Sequence, residues 1–212
     1  MSYDARDAAM DEMYDRMSDE LYPDHKARAI EEVTTKRFHA YYKQHSFVMR
    51  PAVDMVQEGN KLKDEGHFAA AVVFYMTAVE ILLKATVLRP VILGLIHNEE
   101  LAAIVVDHTL TGTGFDRYTK LLAGLFDELV GIKLDSIKAE SGKTILAECT
   151  DLQNLRNGVI HRGESRTEEE ANRAHTTANA VFHLLVDPMI CALGLTIIER
   201  GEIRESESVY RR

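Results

Sequence analysis

The stretch His67–Leu88 is apolar on two helical faces at once. Phe68, Val72, Tyr75, Val79, Leu82 and Leu83 recur at the spacing of one α-helical stripe, and Ala69, Val73 and Met76 form a second beside it. A helix with so little surface to give to water must be enclosed by others, so this one is predicted to be central. The 212 residues suffice for one well-buried domain. Only 12 Gly and 4 Pro punctuate them, too few for the turn every ten residues or so that an all-β chain needs. The expected fold class is all-α, a helical bundle with additional N-terminal helices.

Three regions are legible. Residues 1–50 read as an acidic helical extension packed on the core. Within it, Met10, Met13, Tyr14, Met17 and Leu21 stripe one helix, and a second runs through Ala27, Ile30, Val33, Phe38 and Tyr41 to about His45. The Met-rich stripe is read as laid on the core, the alternative being a pliable docking surface for a partner. Residues 51–199 read as the bundle. A helix from Ala52 to about Glu65 turns at Gly66 into the central helix, Arg89-Pro90 breaks or kinks it, and Val91–Val106 continues in helix. Thr109–Gly114 is a loop that lacks the Gly-Lys-Ser/Thr of a phosphate loop, and Phe115–Val130 is amphipathic. Two last helices, Thr144–Arg162 and Thr167–Glu199, are joined by Gly163–Arg166. Thr167 and Glu170 make a capping box, and Pro188 is expected to kink or end the last helix near Val186. Residues 200–212 read as a polar, mobile tail.

With 25 basic against 34 acidic side chains the net charge is -9, the wrong sign for coating nucleic acid, so any such site must be local. Cys149 and Cys191 both fall in apolar helical stretches and no signal region opens the chain, which predicts reduced thiols in a cytoplasmic protein. The apolar run Leu184–Ile198 is interrupted by Asp187 and Pro188, so no membrane span is expected. His183 and Asp187 lie one helical turn apart but lack a second ligand pair, so no metal is expected, and nothing calls for a cofactor.

One helix breaks its own pattern. At 100° per residue Ile145, Cys149, Leu152, Leu155, Val159 and Ile160 fall within an arc of about 140°, and Arg156 projects into its middle. Asn157 lies about 100° and His161 about 140° from Arg156 on the same wheel. A guanidinium among such neighbours cannot shed its proton and costs several kcal/mol if buried alone. Three compensations are open: a buried carboxylate such as Glu80, itself within i+4 reach of Lys84; a subunit interface; or a solvent-lined cleft that receives an anion.

The wording of this helix, "LRNGVIHRG", resembles the Arg-Asn-x-x-x-His signature of the HEPN superfamily (higher eukaryotes and prokaryotes nucleotide-binding domain). "FYMTAVEILLK", Phe74 to Lys84, looks like the apolar, Glu-containing earlier helix of many such domains, and the resemblance covers roughly Ala52 to Met189. It implies a HEPN-like helical bundle and a metal-independent endoribonuclease, working as a homodimer whose motif helices meet across a cleft, in a toxin, abortive-infection or related defence role. Arg156, Asn157 and His161 would hold the catalytic positions and Glu80 a supporting one. Histidine is the side chain suited to proton exchange near neutral pH, so His161 would exchange a proton with the ribose 2′-OH or the leaving 5′-oxygen. Arg156 would hold the phosphate, and Asn157 would orient the imidazole or a phosphate oxygen. Arg162 and Arg166 add local positive charge and are the expected RNA contacts. RNA is the implied substrate, and an antitoxin or regulatory protein is a further partner of such domains. Gly163 stands where some HEPN toxins carry a Tyr that a partner nucleotidylates, so that form of silencing is not expected here. A second reading is a catalytically silent helical module that binds a protein partner or nucleotide. A third is a tetratricopeptide-like adaptor, since "GNKLKDEGHFAAAVVFYMTAVE" resembles one such repeat, though a solenoid needs about three.

Overall fold

The computed structural model of the chain describes Met10, residues 12–17, Glu20, His25, Arg28, and residues 31–96, 98–110 and 118–206. Helix α1 begins in wide π turns at Glu32–Phe38 and continues as His39–Gln44. Helix α2 is Arg50–Asp64. The long α3 runs from Phe68–Ile81 through π turns at Leu82–Leu88 into Arg89–Leu95. Then come α4, Glu99–Leu110; α5, Thr119–Val130; and α6, Ile145–Arg162. Helix α7 runs from Glu168–Val181 through π turns at Phe182–Val186 into Asp187–Ala192. A hairpin of β1, Leu195–Ile198, and β2, Glu202–Glu205, closes the described part. Helix makes up 77% of the structure, and the described residues are all-α but for this hairpin.

Helix α3 is central, as its two apolar stripes require. Val72, Tyr75, Met76, Val79, Leu82 and Leu83 are buried, and α2, α6 and α7 pack around it. Gly59 of α2 is where the α2–α3 pair is tightest, because a Cβ there would lie 2.7 Å from the Tyr75 ring. In length and hydropathy the rod Phe68–Gly94 meets the requirement of a membrane span, with a mean hydropathy of 1.8. Yet 61% of that window is buried inside the chain's own bundle, as befits a core helix.

Pro90 does not break this rod. A proline ring collides with the carbonyl four residues back and leaves it without an N–H donor. Here the π turns widen the helix just before the ring, with the Arg89 N–H reaching back five residues to the Lys84 carbonyl. The carbonyl four residues before the ring is that of Thr86, fully buried, and the Tyr42 hydroxyl of α1 donates to it at 2.5 Å. The break in the chain comes instead at Ile96, whose backbone is extended. Pro188 is accommodated in the same way, after the π turns of α7. Tyr42→Phe keeps the packing and deletes the donor, so urea unfolding is expected to read a loss of about 1–2 kcal/mol. An unchanged midpoint would mean that another group serves the Thr86 carbonyl.

Two expectations are corrected at the C-terminal end. The last helix does not reach Glu199, and the tail is not wholly without structure. Gly194, at φ 72°, turns the chain out of helix, and the β-branched run Thr196-Ile197-Ile198 pairs antiparallel with β2, Ile197 opposite Ile203. Arg200 and Gly201 take the left-handed φ values of a three-residue hairpin loop. Ile203 is buried, and its N–H donates to the Ser46 carbonyl at 2.8 Å, tying the hairpin to the break between α1 and α2.

In the N-terminal extension Phe38 and Tyr42 join the core. Met10, Met13, Tyr14 and Met17 are helical but roughly half exposed, from 46% to 56%, so the core does not cover this stripe there. Leu21, Ala27, Ile30, most of the expected Thr109–Gly114 loop, Phe115 and the tail beyond Ser206 lie outside the described residues, as does the Val33 side chain.

Candidate active site

The motif helix α6 is fixed at both ends. The Thr144 side chain caps its start, accepting from the Ala147 N–H at 3.3 Å. At its end Gly163, at φ 64°, lets the Gly163 and Glu164 N–H groups return to the Val159 and Gly158 carbonyls. Four residues later the expected capping box of Thr167 and Glu170 starts α7 in the opposite direction. Helix α7 runs parallel to α3: His175 lies against Tyr75, with ring centroids 5.2 Å apart, and further along Ala178 and Phe182 share a cavity wall with Leu82. It follows that α6 runs antiparallel to α3.

That register brings Arg156 to Glu80, with Nη1 and Oε1 3.7 Å apart. Of the three compensations, the intramolecular carboxylate is thus present. The pair is incomplete as a buried salt bridge. The side chains keep 25% and 21% of their exposure, the separation exceeds hydrogen-bonding range, and Arg156 Nε is buried with no hydrogen-bond partner. Lys84 is turned toward Tyr118, its Nζ 5.5 Å from the ring centroid. Asn157 is half-buried. His161 is exposed and makes no hydrogen bond or ion pair among the described residues. It stands about 7.5 Å along the axis from Arg156, toward the N-terminal half of α3. Beside them Ile160 is 47% exposed, a large apolar side chain only half covered among the described residues.

The two flanking arginines differ. Arg162 is exposed, its Nε held by Glu164 Oε1 at 2.5 Å. Arg166, an expected RNA contact, is turned inward with only 10% of its side chain exposed. It donates to the Leu155 carbonyl at 2.9 Å and to Glu164, and Glu170 lies 3.7 Å from its Nη1. Hydrogen bonds from Arg162 and Arg166 hold the Glu164 carboxyl below the ordinary carboxylate range. The positive charge near the motif is therefore largely matched by its own carboxylates.

Both cysteines are free. Cys149 is buried, and desolvation followed by the Glu148 charge pushes its thiol up to about 12. Cys191 is not sheltered as its apolar stretch suggests; it is exposed, one turn from Asp187 on the surface of α7. Among the described residues no three His, Cys, Asp or Glu side chains cluster as metal ligands.

The sequence reading missed a polar network at the other end of α6. Glu148 is 1% exposed and accepts from Arg173 on one oxygen and from the Ser141 hydroxyl, at 2.7 Å, on the other. Asp151 joins it, 3.5 Å from Arg173 Nη2 and paired with Lys143. The network lines a cavity of about 330 Å³ with Glu169, Asn172 and Thr176. No protein-family model, characterised protein or solved structure is found to match the chain.

Proposed function

We propose that the chain is a metal-independent endoribonuclease of the HEPN type that cleaves single-stranded RNA, acting as a homodimer in the cytoplasm in a defence role. The observation that carries the reading is an under-satisfied, part-exposed Arg156 on the same rod as an exposed His161 that makes no hydrogen bond or ion pair among the described residues. The two project about 140° apart, so one copy does not bring both to a single phosphate. Two motif helices meeting across a cleft would, with Ile160 covered between them.

The chemistry follows from the groups. The 2′-oxygen attacks the adjacent phosphorus, the bond to the 5′-oxygen breaks, and a 2′,3′-cyclic phosphate remains. His161 takes the 2′ proton or supplies one to the departing 5′-oxygen. Arg156 balances the charge that grows on the phosphoryl oxygens, and Asn157 orients the imidazole or one of those oxygens. Requiring a 2′-OH confines the reaction to RNA.

The test is cleavage of single-stranded RNA in excess EDTA. Products ending in 2′,3′-cyclic phosphate are expected, and none from an oligonucleotide carrying 2′-deoxyribose throughout. The pairing of Arg156, Arg162 and Arg166 with carboxylates favours one alternative, a catalytically silent module that binds a protein partner. That alternative is selected if RNA stays intact while a partner is still bound.

A further inference from the structure

We infer that Arg166 is a positioning residue for the motif helix, a latch that sets where its last two turns hold Asn157 and His161. The inference rests on the nuclease reading for its catalytic consequence.

Three observations meet at Gly158. First, Arg166 is nine-tenths buried although it belongs to a four-residue linker. Its guanidinium lies against α6, donating to the Leu155 carbonyl and to Glu164 of the linker, with Glu170 of α7 as an ion-pair partner 3.7 Å away. Glu170 also receives the Thr167 N–H, so a single carboxylate ties Arg166 to the start of α7. Second, Gly158 is what lets the latch lie down. A Cβ there would fall inside the contact radius of Arg166 Nη2 and Glu164 Oε2, and 3.0 Å from Arg162 Nη2. Third, Gly158 has ordinary helical surroundings, not the positive φ of Gly163, so backbone conformation gives no reason for glycine in the middle of α6. The room it leaves for the latch does.

The latch acts on the last turn, which the Gly163 cap closes and which Arg166 ties to α7. His161 and Arg162 are the last two residues of α6, where carbonyls lack intrahelical donors. Clamping Leu155, Gly158 and the linker together fixes that turn relative to α7, and with it the direction of the His161 ring. A misplacement of about 1 Å at a reacting group costs on the order of a hundredfold in rate.

Gly158→Ala separates positioning from stability because the two pull in opposite directions. Alanine is the better helix former, and the atoms it meets are the far ends of flexible side chains, which move aside at little cost to the fold. We expect Gly158→Ala and Arg166→Gln each to lower kcat for RNA about tenfold or more with KM little changed. Gly158→Ala should keep the wild-type melting temperature. Arg166→Lys, which keeps charge but loses the fork, should rescue only partly. Wild-type turnover in both Gly158→Ala and Arg166→Gln overturns the inference. NMR of the His161 ring supplies a readout without RNA: the resonance should shift or broaden in both variants. Should the wild type itself fail to cleave, the nuclease reading falls, and the NMR result alone decides the latch, an unmoved resonance in both variants refuting it.

Discussion

His161→Ala is expected to slow RNA cleavage by about 10²–10⁴-fold, the usual contribution of a positioned acid or base, without lowering the thermal midpoint. The ring is exposed and holds nothing together among the described residues, so its loss should leave the fold intact. Arg156→Ala should give a different pair of results. Cleavage falls to a similar degree, and the protein also loses about 1–2 kcal/mol, since the half-buried Glu80 is left without its cation. Adding Glu80→Gln to Arg156→Ala removes the stranded charge, so stability should return in part while activity does not. This cycle distinguishes an arginine that acts on substrate from one that only fixes helix register. Cleavage restored by Glu80→Gln, or unaffected by Arg156→Ala, would reduce Arg156 to half of a structural ion pair. Calorimetry and initial rates on the four proteins suffice.

Helix-level features were legible where a local rule governed them. The two-striped Phe68–Leu83 segment had to be enclosed, and it is. The Thr167–Glu170 box and Gly163 specified the turn between α6 and α7 because caps are set by groups within four residues. Pro90 does not end the helix because π turns just before the ring widen it, and the Thr86 carbonyl four residues back is met by the Tyr42 hydroxyl on a different helix, a partner far away in sequence. The hairpin was missed because β1 is four residues long and its partner strand contributes a single apolar side chain, Ile203, too short a stretch for period two to show against a helical background. The candidate site was half legible. The helical wheel placed Arg156 in an apolar arc and offered Glu80 as one counterion, and the pair forms. The inward turn of Arg166 depends on Gly158 and Glu170 lying close in space, which no spacing rule announces. One signal was present and went unused. On the wheel that exposes Arg156, Glu148 also falls within the apolar arc, about 20° inside the edge that Leu155 marks, and it is the more buried of the two charged residues.

Arg173→Met should therefore have the largest effect on stability. Arg173 supplies the cation and hydrogen bond that let a carboxylate at 1% exposure remain charged, and methionine keeps much of the aliphatic volume while removing both. Stranding a buried charge costs about 3–5 kcal/mol. Ser141 continues to donate to Glu148 and the adjacent cavity admits water, so a loss of about 3 kcal/mol is expected, lowering the midpoint by roughly 6–12 °C. The pH dependence gives the sign of the cause. In the wild type the Arg173 hydrogen bond holds the Glu148 carboxyl below its ordinary value of 4.5, so the stability it contributes is complete above that value and is lost as pH falls through the lower, folded one. Without Arg173, burial becomes the governing influence and raises the carboxyl instead. The variant then binds a proton more readily folded than unfolded, and stability is lost as pH rises through the raised value. The gap between wild type and Arg173→Met should thus be widest near neutrality and close in acid, and Glu148→Gln combined with Arg173→Met should close it at every pH. Melting curves from pH 4 to 8 check this. A gap that is small, or constant across that range, would mean that Glu148 draws its support from somewhere other than Arg173.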